Sequence, residues 1–201
     1  MRLINPPNRL WSAIAATLLL LLIAPARAQT TISFADSRTI PVDAVTLEVR
    51  IPSPPPREYP YVGYLAPTPY SDVIHAWAAQ RFALTGGSVN TLRVTMRQGS
   101  ITEKLLPVTT GIAGWFKKEQ GADYQGSLEV EVSIIDPNGQ LLASADGRSW
   151  ATESVAKNAT QADREATWER LILRTFDNLD KELIPRVYEA MGAYVRGTPS
   201  P

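Results

Sequence analysis

Ser127-Leu128-Glu129-Val130-Glu131-Val132-Ser133-Ile134-Ile135, followed by Asp136-Pro137-Asn138-Gly139, decides the fold. Side chains of an extended chain alternate between two faces. Leu128, Val130, Val132 and Ile134 therefore share one face, and Glu129, Glu131 and Ser133 share the other. This is a strand with one buried side. Asp136 to Gly139 has tight-turn chemistry, with a proline that presets φ and a glycine that accepts a left-handed backbone. Gln140 to Trp150 should then return as the second arm of a hairpin.

The same alternation recurs upstream. Leu92-Arg93-Val94-Thr95-Met96-Arg97 turns Leu92, Val94 and Met96 inward. Gln98-Gly99-Ser100 reads as a bulge or turn before Ile101 to Leu106. Val45, Leu47, Val49 and Ile51 define the inner face of an earlier strand, and Ile32 and Phe34 mark a shorter one. Arg93 and Arg97 complement Glu129 and Glu131. Opposite charges across an antiparallel pair are favourable, so those two strands should be neighbours.

Two segments carry helical periodicity. Ser71 to Thr85 has Ser71 as its cap, Asp72 in its first turn and Gly86-Gly87 as its stop. Thr160 with Asp163 resembles a capping box opening a long helix. Trp168, Ile172, Phe176, Leu179, Leu183 and Val187 recur there at steps of three or four, forming one apolar stripe. Asp177 with Lys181 and Glu182 with Arg186 are i,i+4 pairs on its wet side. Pro185 should kink or split it near Leu183, leaving a shorter segment with Tyr188, Met191 and Tyr194.

Pro52 to Tyr70 holds seven prolines interleaved with Tyr59, Tyr61, Tyr64 and Tyr70. Neither a helix nor a central strand forms on such a sequence. It reads as an extended crossover pinned by its tyrosines, with a proline-rich recognition segment as the alternative. Pro107 to Gln125, with Gly111, Gly114 and Gly121, reads as an irregular insertion. These elements together predict an α+β fold. It is a two-layer sandwich with a mostly antiparallel sheet of about four strands and two helices on one face.

The N-terminus has a different character. Arg2 and Arg9 precede an apolar run from Leu10 to Ala24, and Ala26-Arg27-Ala28 places small residues where a signal peptidase cuts. At about 15 residues the run is shorter than the ~20 that span a bilayer. We therefore expect residues 1–28 to be a cleaved signal peptide, with the mature chain starting at Gln29, soluble in the bacterial periplasm. The expected organisation is one domain over 29–196, with the crossover at 52–70 and a disordered tail at 197–201.

Composition excludes several classes. The 201 residues are 44% apolar and 20% charged, a globular balance. There is no cysteine, which removes disulfides, thiolate metal sites and Cys nucleophiles. There is one histidine, His75. The leader holds three arginines and no acid, so the mature chain has 17 bases against 20 acids, a net charge of −3. That balance argues against a nucleic-acid partner.

The candidate chemistry is sparse. Ser71, Asp72 and His75 lie within one helical turn, whereas a triad needs groups converging from separate elements. Asp136, Asp146, Glu129 and Glu131 are the carboxylates that could form a hydrolytic pair. There is no phosphate loop, HExxH or GxSxG. No catalytic, cofactor-binding or metal residues are therefore assigned, and no cofactor is expected. Gly111-Ile112-Ala113-Gly114-Trp115-Phe116-Lys117-Lys118 stands out. Ile112, Trp115, Phe116, Lys117 and Lys118 combine aromatic area with positive charge, and form the candidate contact site for an envelope protein partner or a membrane surface. The alternative is that Trp115 and Phe116 plug the open end of the sandwich.

The order of helix, strand, strand ending in Asp136-Pro137-Asn138-Gly139, strand and long amphipathic helix covers Tyr70 to Tyr194. In this it resembles the small Gram-negative envelope lipoproteins, including the auxiliary lipoproteins of ABC-type transport systems and the YajG-like group. The resemblance implies a non-enzymatic accessory role in the cell envelope, in transport or envelope assembly. This chain departs from that pattern in having no lipobox cysteine. A periplasmic hydrolase and an obligate structural subunit of an envelope complex are the alternatives.

Overall fold

A computed structural model describes residue 34 and residues 38–106 and 120–197. The chain parts into Met1–Thr31 and Ile32–Pro201, and every described residue belongs to the second unit. Its elements are β1 (Ile40–Val42), β2 (Thr46–Arg50), α1 (Tyr70–Arg81), β3 (Phe82–Leu84), β4 (Thr91–Leu105), β5 (Gln120–Ile135), β6 (Leu141–Ala156) and α2 (Gln161–Ala190). The fold is α+β. A four-stranded sheet runs in the order β2-β4-β5-β6, and β1 and β3 form a second, parallel pair. β4, β5 and β6 are antiparallel neighbours, while β2 joins β4 in parallel.

The alternation read from sequence places the core. Leu92, Val94, Met96, Leu128, Val130, Val132 and Ile134 are all buried. Both helices lie against this face. Phe176 of α2 meets Tyr70 and Trp77 of α1, with ring centres 6.0 and 5.9 Å apart. Trp77 meets Phe82 edge-on at 5.7 Å. The whole stripe from Trp168 to Val187 is buried. The sheet accommodates the helices by presenting small residues. A Cβ on Gly147 would stand 2.8 Å from Leu183 Cβ, and one on Gly126 would stand 2.6 Å from Tyr70 Oη.

The turn behaves as its sequence dictates. Asp136 Oδ1 accepts from the backbone N–H of Asn138 at 2.9 Å and of Gln140 at 2.7 Å. Gly139 takes a φ of 85°, in the left-handed region. The capping box is also present, with Thr160 Oγ1 accepting from the Asp163 N–H and Asp163 returning the bond.

Several expectations need correction. The first helix begins at Tyr70 with Pro69 as its cap, and the Ser71 hydroxyl donates to Asp72 instead. It ends at Arg81, before Gly86-Gly87. Phe82 to Leu84 become a strand because β1 offers them an unpaired edge. α2 runs unbroken through Pro185. Leu183 and Val187 are seated in the core on either side of it, while Pro185 faces solvent. The carbonyl that lacks an N–H donor therefore lies on the wet side, where water can serve it.

The insertion is shorter than 107–125. β5 already begins at Gln120, which pairs with Ala156 of β6, and residues 122–125 stand opposite Thr102 to Leu105 of β4. Val45 is 51% exposed, one residue before β2 begins. The irregularity near Gly99 is a bulge between Met96 and Gln98 within a continuous strand. The Pro/Tyr-rich crossover is stitched to the edge of β4. Val62 N–H donates to Ile101 O at 2.8 Å, and Glu103 N–H donates to Pro60 O at 2.8 Å.

Candidate functional site

The contact site expected at Ile112, Trp115, Phe116, Lys117 and Lys118 lies outside the described residues. Its two stems are described. β4 ends at Leu105 opposite Ala122 of β5, and Leu106 N–H donates to Gly121 O at 3.2 Å. Leu105 is 62% exposed and Tyr59, beside Pro60 on the stitched crossover, is 65% exposed. One end of the sheet therefore shows apolar side chains at the point where 107–119 departs.

Beneath this end the interior is closed by a polar knot. Tyr124 is fully buried; its hydroxyl donates to Glu103 Oε1 at 2.9 Å and accepts from Arg164 Nη1 at 2.7 Å. Burial, first, and the bond to Glu103 hold the Tyr124 phenol above its ordinary value. Trp168 packs edge-on to Tyr124 at 5.7 Å. Its indole N–H is buried without a hydrogen-bond partner among the described residues.

Of the four carboxylates expected to offer a hydrolytic pair, Glu129, Glu131 and Asp136 are engaged by other groups, and Asp146 lines a groove where β6 meets α2. Glu131 pairs with Arg97, and Glu129 pairs with Arg148 at 3.2 Å and with Arg97 at 3.9 Å. Asp136 holds the turn. β4 and β5 are thus neighbours with complementary charge, as their sequences require. Arg93, however, reaches Glu48 of β2 at 2.7 Å rather than β5. Its β5 register partner is Ser133. Two guanidinium groups, Arg93 and Arg50, hold the Glu48 carboxyl below its ordinary value. His75 is exposed on α1, and the Ser71 hydroxyl turns to Asp72 rather than to it. Among the described residues, no three His, Asp or Glu side chains come together as a metal site would require.

A second surface feature emerges only in three dimensions. A groove of about 440 Å³ lies where β6 meets α2, lined by Asp146, Arg148, Trp150, Glu182 and Arg186. Trp150 is 66% exposed. Asn178 Nδ2 donates to Trp150 O at 3.0 Å, and Arg186 Nη1 donates to Asp146 O at 3.2 Å. Arg186 also pairs with Glu182 one turn away. The sequence signal was the phase of β6. Ala145, Gly147, Ser149 and Ala151 are the small, buried positions, which leaves Trp150 on the outer face.

No protein-family model and no curated protein matches this chain. Among solved structures it is similar to protein XCC0632 from Xanthomonas campestris, of family DUF330. The identity is 15%, over 72% of this chain and 88% of that one, with a TM-score of 0.27. Among the described residues no helix is long and apolar enough to cross a membrane.

Proposed function

We propose that this protein is a non-enzymatic accessory or binding protein of the bacterial cell envelope, exported to the periplasm, working through the tip of its β4–β5 hairpin. It would serve a transport or envelope-assembly system, the role implied by its likeness to small envelope lipoproteins. The observation that carries this is the exposure of both Leu105, the last residue of β4 before 107–119, and Tyr59, next to the Pro60 whose carbonyl bonds Glu103 of the same strand. Exposed apolar residues gathered at one place mark a contact surface. Carboxylate hydrolysis is disfavoured because Glu129 and Glu131 are gripped by arginines.

Trp115→Ala and the pair Lys117→Glu with Lys118→Glu test this. Both should weaken association with envelope fractions while leaving the melting temperature nearly unchanged. A fall of many degrees for Trp115→Ala, with no effect of charge reversal, would show a core plug and sink the proposal. N-terminal analysis of the periplasmic fraction should give Gln29 as the first residue. A chain still starting at Met1 in the membrane pellet would overturn the export step.

A further inference from the structure

We propose that the Trp150 groove binds a neutral oligosaccharide built of hexopyranose rings. Its components are an exposed indole and four charged side chains that balance, Asp146 and Glu182 against Arg148 and Arg186. A balanced rim gives no net attraction to an anionic headgroup or to a strongly charged peptide. A sugar ring presents C–H groups on one face and hydroxyls round its edge. The C–H groups settle on the electron-rich face of an indole. Vicinal hydroxyls both donate and accept, and the rim offers carboxylates to receive and guanidinium forks to give.

The surroundings of Trp150 separate this ligand from a protein partner. Protein interfaces centre on a packed apolar core ringed by polar groups. Among the described residues Trp150 has no such apolar neighbours in register with it or beside it on its face of β6. Across from it stands Ser127, and along β6 stand Arg148 and Thr152. Beyond it Gln125 pairs in register with Thr152, both exposed, so the platform continues as neutral hydroxyl and amide. A chain of sugars lying along β6 would pass from the charged groove onto this strip. The groove's volume lies toward the small end of ligand sites, which run from ~300 to ~1,000 Å³.

The platform is also held in place before any ligand arrives. Asn178 fixes the Trp150 carbonyl to α2, Arg186 fixes that of Asp146, and Glu129 holds the Arg148 guanidinium at 3.2 Å. The backbone beneath the indole and the Arg148 fork therefore need little ordering on binding.

The test is calorimetric titration of the full chain with chitotetraose, cellotetraose and maltotetraose. At least one should bind. Trp150→Ala should weaken that binding ~10-fold or more, a loss of about 1.4 kcal/mol. Trp150→Phe should keep part of the affinity, and Arg148→Ala should lose several-fold. Trp150 is exposed, so the variant should keep the wild-type melting temperature, which is checked alongside. Trp115→Ala should bind sugar as the wild type does, which separates this site from the hairpin tip. Absence of binding by all three tetrasaccharides overturns the proposal. So does sugar binding that survives Trp150→Ala, or a Trp150→Ala defect confined to vesicle or protein association.

Discussion

The Arg81 guanidinium grips both carboxylate oxygens of Asp180, tying the end of α1 to the middle of α2. Asp180 Oδ1 also accepts from the Trp77 indole N–H at 3.0 Å. Arg81 donates further to Arg38 O at 2.9 Å, bringing in the chain before β1. Arg81 is only 5% exposed, and this burial, set against the nearby Asp177, lowers its affinity for its proton. One carboxylate thus serves a buried cation and a buried indole.

Removing that carboxylate should be costly. Asp180→Ala strands the Arg81 charge and the Trp77 N–H, and breaking a buried pair costs about 3 to 5 kcal/mol. Glu182→Ala, which loses an exposed pair with Arg186, should stay within about 1 kcal/mol. Urea melts of the two variants make the comparison. Equal losses would mean that the buried pair is not what joins the helices.

The aromatic junction gives a second prediction. Phe176 is fully buried and touches the rings of Phe34, Tyr70 and Trp77. Phe176→Ala should cost about 3 to 5 kcal/mol through lost burial and a residual cavity. Lys181→Ala, on the solvent side of the same helix, should change stability by no more than about 0.5 kcal/mol. A matching pair of melts would mean that α2 lies on the sheet by another face.

How much of this was legible beforehand depends on the range of each interaction. Leu128 to Ile134 and Trp168 to Val187 announce their buried faces by period alone, because burial of a regular element repeats with its geometry. Asp136 to Gly139 and Thr160 with Asp163 are legible because their hydrogen bonds close within four residues. Phe82 to Leu84 were hidden, since only a distant strand, β1, makes them a strand. Asp180 is one acid among several on a polar helix face. Its importance comes from Arg81 and Trp77, about a hundred residues away in the chain. Trp150 was hidden for the same reason, since its groove needs Glu182 and Arg186 from another element.

Close approach of helix to sheet yields a third prediction. A methyl group on Gly126 would meet Tyr70 Oη at 2.6 Å and Thr175 Oγ1 at 2.8 Å, where those hydroxyls bond each other at 3.1 Å. Gly126→Ala should cost about 1 to 3 kcal/mol by overpacking. Gly139→Ala, at the turn, meets nothing within 4 Å and should cost only through its positive φ. Melts of Gly126→Ala at wild-type stability would refute the tight contact. A second variant, Gly126→Ala with Tyr70→Phe, should recover part of the loss by removing the hydroxyl that the methyl meets.

The last prediction concerns alkaline pH. Burial pushes the Tyr70 phenol far above its ordinary value, against a smaller opposing effect of its bond to Thr175, and burial raises Tyr124 as well. In the unfolded chain both should ionise near the usual tyrosine value, ~10. The native state therefore holds protons that the unfolded state has released. Their contribution is complete below pH ~10 and is lost as pH rises from there through the raised folded values. In a phenolate absorbance titration Tyr70 and Tyr124 should ionise at higher pH in the native protein than after unfolding in urea. Stability from urea melts should decline with pH above ~10, and Tyr70→Phe should decline less steeply than the wild type, having one fewer retained proton. A native titration unchanged by Tyr70→Phe at its high-pH end, or equal slopes for wild type and variant, would show that the Tyr70 hydroxyl is not sealed between α1 and α2.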